Sequence, residues 1–439
     1  MISKYHKYLI SITFLALFLF SIYYTYYLRV LVDDELYNYG FAKNIIDGLV
    51  PYVDFNMIIP PLFHYVLSLF LLFFGKKLLV YHIVIALLVV GITYIAYRKV
   101  GFRAIGIYFL LLIYPYIGYN IFSLFLFMLL LMIGDRNDYI SALLISGLFL
   151  SKQTLGILII PSLIYAKRKG KVFLIYCAVI LSFLTYLLLH NSFTRFMDYC
   201  FLGMFHFASD NSQLTVFLFI EIVVIGILLM LLIKTKKREY FYILCFQVIT
   251  LPIVDYVHFW VAFIPVVYLL MNYFKKSFVS NIFLIGFSVA YFVIFTCSIL
   301  FSKSVYHYVG RYPDYTFMKD RVSYIATSYY IHDMKEQMNK YSDYEPYVLG
   351  SFSYLVKLNL NMKINRYDII NDGNMGYGGE ESYVREIDNN CQKHKCVFFI
   401  SDEEAEGKVY NQVNLKILEY VISHYEKKYS SNTFSVYIN

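Results

Sequence analysis

Long apolar runs alternate with short polar stretches from Tyr8 to Phe301, and the alternation stops there. The first run, Tyr8 to Val32, is long enough to cross a bilayer as a helix. Ten further runs predict spans at Leu78–Tyr97, Ala104–Gly118, Ile121–Ile133, Tyr139–Leu150, Leu155–Ala166, Val172–Leu189, Leu214–Ile233, Tyr240–Val254, Phe259–Tyr273 and Phe278–Phe301. Several are short for a span, which predicts tilted or partly buried helices. The runs are continuous rather than alternating, which argues against a transmembrane β-barrel.

The run Leu62–Phe74 decides the orientation. Counted as a span, it puts Arg98, Lys99, Arg103, Lys167–Lys169 and Lys234–Arg238 outside. Left out, it puts all of these inside, together with the N-terminus, Arg136 and Lys275-Lys276. Basic residues concentrate on the cytoplasmic side of membrane proteins, so the second arrangement is chosen. Leu62–Phe74 then lies at the outer interface, and its length suits an interfacial segment. The result is about eleven spans, N-terminus in and C-terminus out. The polar segments Asp33–Pro61, Gly118–Asn120, Ser151–Thr154, His190–Gln213 and Asp255–His258, and everything after Phe301, fall outside.

Composition agrees with this layout. The chain has 439 residues, 59% hydrophobic and only 15% charged, with a mean hydropathy of +0.58. A soluble domain of this length is excluded. The net charge of +8 comes from short clusters between apolar runs, which read as orientation signals and not as a nucleic-acid surface. The abundance of Tyr, Ile, Lys and Asn points to an AT-rich bacterial genome. The six cysteines form no zinc spacing, and only Cys391 and Cys396 are close, as a local disulfide or as free thiols. Residues 302–439 are polar and of domain size. Val397–Ile400 and Phe434–Ile438 read as strands. Lys408–Lys427 has the helical spacing of Val413, Ile417, Tyr420 and Val421. The fold class is therefore an all-α polytopic membrane protein, residues 1–301, with a small C-terminal α/β domain outside the membrane, residues 302–439. Residues 33–77 form its first outer loop.

The chemistry gathers in that loop. Asp33-Asp34-Glu35 leaves the first span, a helix starts near Glu35, and Tyr37 follows. Carboxylates favour a helix N-terminus, so a solvated cap is one reading. Three in a row at a membrane edge favour a functional site. Gly48, Pro51-Tyr52-Val53-Asp54-Phe55-Asn56 and Pro60-Pro61-Leu62 complete the loop, and the proline pair can open a helix but not sit inside one.

In these residues the chain resembles the GT-C membrane glycosyltransferases, most closely the branch with protein O-mannosyltransferases and the lipid A aminoarabinose transferases. Their shared pattern is Asp with an acidic neighbour, a Tyr three residues later, a Gly-containing loop and a Pro-Pro pair opening an interfacial helix. Asp33-Asp34, Tyr37, Gly48, Pro51 and Pro60-Pro61-Leu62 carry it here. Lys152, in Leu150-Ser151-Lys152-Gln153-Thr154 after Gly147, resembles that branch's outward-facing Lys. Three features depart. Ile59 stands where many relatives have Lys, Tyr119-Asn120 where many have Asp, and the run Asn371–Gly379 has no place in the pattern.

The resemblance implies transfer of a sugar from a polyprenyl-phosphate carrier to a glycan or lipid-linked acceptor, outside the cytoplasmic membrane of a bacterium. A cell-envelope glycan is the expected acceptor. Such chemistry needs a carboxylate to take the acceptor proton. It also needs cations or donors for the leaving phosphate. Asp33 is the candidate base and Asp34 its alternate. Lys152, Arg195 and Arg311 are candidate phosphate partners. Glu35, Tyr37, Tyr52, His64, Gln153 and His258 complete the substrate-binding set, with Tyr37, Tyr52 and Tyr65 offering faces to a sugar. The plainer roles are a snorkelling Lys152, loop charges at Arg195 and Arg311, and a packed His64. No cofactor is required, though a divalent metal is left open. His190, His206, Asp255 and His258 stand at outer helix ends, as a metal site or as interfacial polar residues. The Asn371–Gly379 run lacks the pattern of a nucleotide loop and reads as a turn-rich loop. The rival functions are a lipid-linked saccharide flippase, which would show repeated halves and mid-span charges, and a polysaccharide ligase or polymerase.

Overall fold

Caps and breakers end the apolar runs, and helices form between them. In the computed structural model, the described residues are 2–28, 33–115, 117–133, 137–165, 168–204, 216–250, 256–274, 277–300, 309–311, 322–324, 326–349, 353–364, 376–401, 415–431 and 434–439. Helix α1 (Ile2–Ile22) runs into a π-helical turn, Tyr23–Leu28. Then come α2 (Asp33–Ile46), α3 (Leu62–Phe74), α4 (Leu78–Val100), α5 (Ala104–Leu111), α6 (Gly118–Ile133), α7 (Asp138–Ser151), α8 (Gln153–Ile159), α9 (Lys169–Leu189) and the short α10 (Phe193–Met197). Helices α11 (Val216–Thr235), α12 (Arg238–Gln247), α13 (Tyr256–Tyr273) and α14 (Phe278–Leu300) follow. Asn137 caps α7 by accepting from the Tyr139 and Ile140 amides at 3.0 and 3.2 Å, as expected of an Asn at this position.

Among the described residues, five helical stretches are long and apolar enough to cross a membrane: Lys7–Leu28, Leu78–Leu111, Lys169–Leu189, Val216–Thr235 and Val279–Ser298. Leu62–Phe74, Gly118–Ile133, Asp138–Ser151, Gln153–Leu163 and Val257–Tyr273 are apolar but shorter. This is a membrane protein. The remaining spans of the eleven rest on the sequence pattern.

The tail adds β1 (Val309–Arg311), β2 (Val322–Tyr324), α15 (Ala326–Lys340), β3 (Glu345–Leu349), α16 (Ser353–Asn359), α17 (Gly379–Cys391), β4 (Cys396–Ser401), α18 (Leu415–His424), β5 (Glu426–Ser430) and β6 (Phe434–Ile438). Strands β1 and β2 pair antiparallel. The other four form one sheet in the order β3-β4-β6-β5. Strand β3 runs parallel to β4, with Tyr347 opposite Phe398, and the remaining pairs are antiparallel. Strands β4 and β6 cover the two predicted strands. The predicted helix Lys408–Lys427 is shorter. Residues 402–414 lie outside the described set, the helix stops at His424, and Glu426–Ser430 is the edge strand β5. Cys391 and Cys396 form a disulfide.

Contacts divide the chain into two units. The first is Met1–Val30, Pro60–Tyr186 and Ser212–His307. The second is Leu31–Ile59, Leu187–Asn211 and Tyr308–Asn439, three segments far apart in sequence. Its core packs Leu349, Ile387, Phe398, Ile400, Ile417 and Val421 with Tyr199 from the 187–211 segment. Helix α2 joins the tail through Asn44. Its Nδ2 donates to the Ile364 carbonyl at 2.7 Å, and its Oδ1 accepts from the Ile364 amide at 3.2 Å. Both groups are buried. Asn44→Ala is therefore expected to lower the stability of this unit by roughly 2 kcal/mol, since it orphans a buried amide and a carbonyl. Limited proteolysis of the purified full chain checks this, and unchanged protection of the tail would show that the pair contributes little.

Candidate functional site

The acidic triplet opens α2. Asp33 is the first helical residue, two positions earlier than the sequence places the start; its side chain lies outside the described residues. Asp34 is half-buried, and its carbonyl accepts from Asn38 Nδ2 at 2.6 Å. Glu35 is only 1% exposed. That excludes the solvated cap for this carboxyl, because a carboxylate is buried only where other groups repay its lost hydration. Tyr37 is buried as well, its ring 4.3 Å from Phe41 and 6.0 Å from Tyr354 of α16. The second unit thus sets α2 against the tail.

Tyr52 corrects the sequence reading. It is fully buried, with φ of 63°, in the left-handed region that bulky residues rarely adopt. Its hydroxyl donates to the Ile59 carbonyl at 2.5 Å, and its ring meets Phe196 edge-on at 5.3 Å. Such a ring has no face to offer a sugar. Its role is to hold the loop to α10. Cys200 Sγ lies 3.3 Å from the same hydroxyl, and burial pushes its thiol pKa up, so it stays protonated. Arg195 is exposed and donates to the Val53 carbonyl at 2.7 Å. It clamps the first loop to the 187–211 segment, a contact its position as a loop charge did not reveal.

That segment also receives the end of the glycine run. Asp198 Oδ1 accepts from the Tyr377 amide at 2.8 Å. Gly376 has φ of 75°, and a Cβ there would come within 2.5 Å of Asp198 Oδ2. Only glycine satisfies both conditions. Asn371–Met375 lie outside the described residues. In the tail itself, a polar cavity of about 350 Å³ is lined by Glu345, Tyr347, Lys357, Lys363, Tyr383 and Asn390, among others. Nothing in the sequence spacing marked it.

In the first unit Lys152 sits at a break. It separates α7 from α8 with an extended backbone, φ −151° and ψ 103°. Gly156 lets the two helices close up there: a Cβ would stand 2.1 Å from the Phe149 Cα. Lys152 is 6% exposed. Its ammonium donates to Asn120 Oδ1 and to the Ile249 carbonyl, both at 3.2 Å, and lies 6.0 Å from the Tyr119 ring centre. A snorkelling lysine carries its charge into water; this one carries it inward. Asn120 and Tyr119 are the pair that replaces the relatives' Asp. The amide oxygen and the carbonyl orient the ammonium.

The other candidates scatter. Gln153 opens α8 and is 1% exposed. His64 is fully buried in α3, 5.5 Å from the Phe63 ring, a packed histidine. Tyr65 meets the Tyr186 hydroxyl at 3.2 Å. His258 is 8% exposed in α13. Arg311 ends β1 opposite Val322; its side chain lies outside the described residues, as do His206 and Asp255. His190 is exposed. Among the described residues, no three His, Cys, Asp or Glu side chains gather as metal ligands would.

No family model matches this sequence, and no curated protein does. Solved structures do. The fold is similar to that of ArnT, the lipid A aminoarabinose transferase, from Cupriavidus metallidurans bound to undecaprenyl phosphate. The TM-score is 0.59 at 11% identity, covering 98% of this chain and 97% of that one. The apo form of the same enzyme gives 0.59 at 10% identity, with the same coverage. An oligosaccharyltransferase from Archaeoglobus fulgidus, in complex with zinc and sulfate, is more distant, at 0.45 and 13% identity over 97% of this chain and 72% of that one. The chain shares the fold of ArnT over nearly its whole length.

Proposed function

We infer that this protein transfers a sugar from a polyprenyl-phosphate carrier to a cell-envelope glycan at the outer face of a bacterial cytoplasmic membrane. The observation that carries the reading is Lys152, a buried ammonium at a helix break that donates to Asn120 Oδ1 and to the Ile249 carbonyl, in a chain with the fold of a transferase solved with undecaprenyl phosphate. The reaction joins the acceptor oxygen to the anomeric carbon and breaks the bond from that carbon to the phosphate oxygen. The acceptor proton goes to Asp33. The leaving lipid phosphate keeps its charge and needs a cation rather than a proton; Lys152 supplies it. Asp34 and Glu35 orient the base, and the polar cavity of the tail offers contacts to a hydroxylated acceptor. The disulfide Cys391–Cys396 supports an oxidising location for the tail.

Two experiments test this reading. A deletion strain should lose one sugar from a wall or capsule glycan and regain it on complementation; an unchanged glycan inventory would remove the proposed role. Cysteines placed at Asn56 and along the tail should react with an impermeant reagent, while one at Lys236 should not. Labelling at Lys236 would reverse the orientation and make Leu62–Phe74 a span.

A further inference from the structure

The first unit contains a second feature that sugar transfer does not use. At the C-terminal end of α4 the chain turns at Gly101 and re-enters as α5, and the start of α14 stands beside the turn. Between them opens a cleft of about 820 Å³. Arg98, Lys99 and Arg103 line it, and among the described residues no acidic side chain does. Among the described residues none of the three is ion-paired. Cations left together at one helix end repel one another unless water or an anion lies between them.

The cleft also has an acceptor without a partner. Asn281, in the first turn of α14, is 5% exposed. Its Nδ2 donates to the Phe274 and Ser277 carbonyls, which fixes the amide orientation. Its Oδ1 is buried and accepts nothing. A buried acceptor left unpaired is costly, so a donor is expected there. Three cations and one acceptor together match an anion that also carries a hydroxyl.

The surroundings select a lipid over a free anion. Helix α4 is 23 residues long and apolar, so its end lies at a bilayer surface. Ile105, Ile282 and Ile285 make the apolar wall, and Ile282 is 54% exposed beside Val279 and Phe283 on the outer face of α14. Tyr97 and Phe102 pack edge-on at 5.3 Å on the other side, the kind of ring found at the headgroup level. We propose that this cleft binds the headgroup of an anionic, hydroxyl-bearing phospholipid from the leaflet at this end of α4, the cytoplasmic one in the orientation proposed above. Basic pockets between membrane helices serve such headgroups elsewhere.

The experiment uses the purified full chain and native mass spectrometry, with dioleoyl phosphatidylglycerol and dioleoyl phosphatidylcholine offered together. Each cation near an anionic lipid contributes about fivefold in affinity. Arg98→Gln with Arg103→Gln should therefore lower retention of phosphatidylglycerol by roughly 25-fold and leave phosphatidylcholine unaffected. Ile285→Trp fills the cleft, keeps every charge and should displace the lipid as well. Because it leaves the orientation signals intact, it separates a built site from a merely basic helix end. Retention that survives Ile285→Trp but not the charge changes would reduce the cleft to surface attraction. Equal retention by all forms, or displacement by millimolar inorganic phosphate, would overturn the lipid assignment.

Discussion

Asp33→Asn is expected to abolish turnover while leaving the protein folded and donor-bound. The substitution is nearly isosteric and removes only the ability to accept a proton. Loss of a general base costs on the order of a hundredfold or more. Asp33 is the first residue of α2, a helix tied to the tail through Asn44, so the change leaves the packing of the second unit in place. Asp34→Asn should lose less if the half-buried Asp34 only orients the base, as proposed. The measurement is glycan decoration by a deletion strain carrying each variant at matched membrane levels. Full decoration by Asp33→Asn and none by Asp34→Asn would exchange their roles. Full decoration by both, and by the double variant, would end the carboxylate mechanism and favour a flippase.

Lys152→Ala is the second large effect expected. Removing a preorganised charge at a leaving oxygen typically costs about two to three powers of ten. The loss should show as a raised donor requirement together with a lower kcat if, as proposed, the ammonium meets the phosphate both before and during bond breaking. Lys152→Arg should recover part of it, being charged but differently shaped. Lys152→Met keeps most of the stem and controls for packing against Tyr119 and Asn120. Unchanged kinetics in Lys152→Ala would return the residue to a structural role at the α7–α8 break.

The sequence was most legible where order is local. Apolar runs bounded by Asn137, Gly75 and Gly101 became helices because periodicity and caps act within a few residues. Lys152 stood out through the resemblance of its Leu150–Thr154 surroundings to an outward-facing Lys in the family pattern. What stayed hidden depends on partners far along the chain. Nothing near Asn44 names Ile364, and nothing near Gly376 names Asp198. Tyr52 was misread because an aromatic in a polar loop looks exposed until Phe196 and Ile59 cover it. Glu426 and Lys427 ended the predicted helix in sequence but pair with β6, where ladder hydrogen bonds outweigh helical propensity. Arg195 reads as a loop charge in isolation, and its bond to Val53 appears only when two segments of the second unit meet.

The most direct test of the account is a reconstituted transfer reaction. Purified full-length protein in vesicles would be given a polyprenyl-phosphate sugar labelled in the sugar, with wall glycan from the deletion strain as acceptor. The account expects labelled glycan and free polyprenyl phosphate in equal amounts from the wild type, and neither from Asp33→Asn. Glycan labelled equally by both proteins, or labelled lipid crossing the bilayer with its sugar still attached, would contradict it.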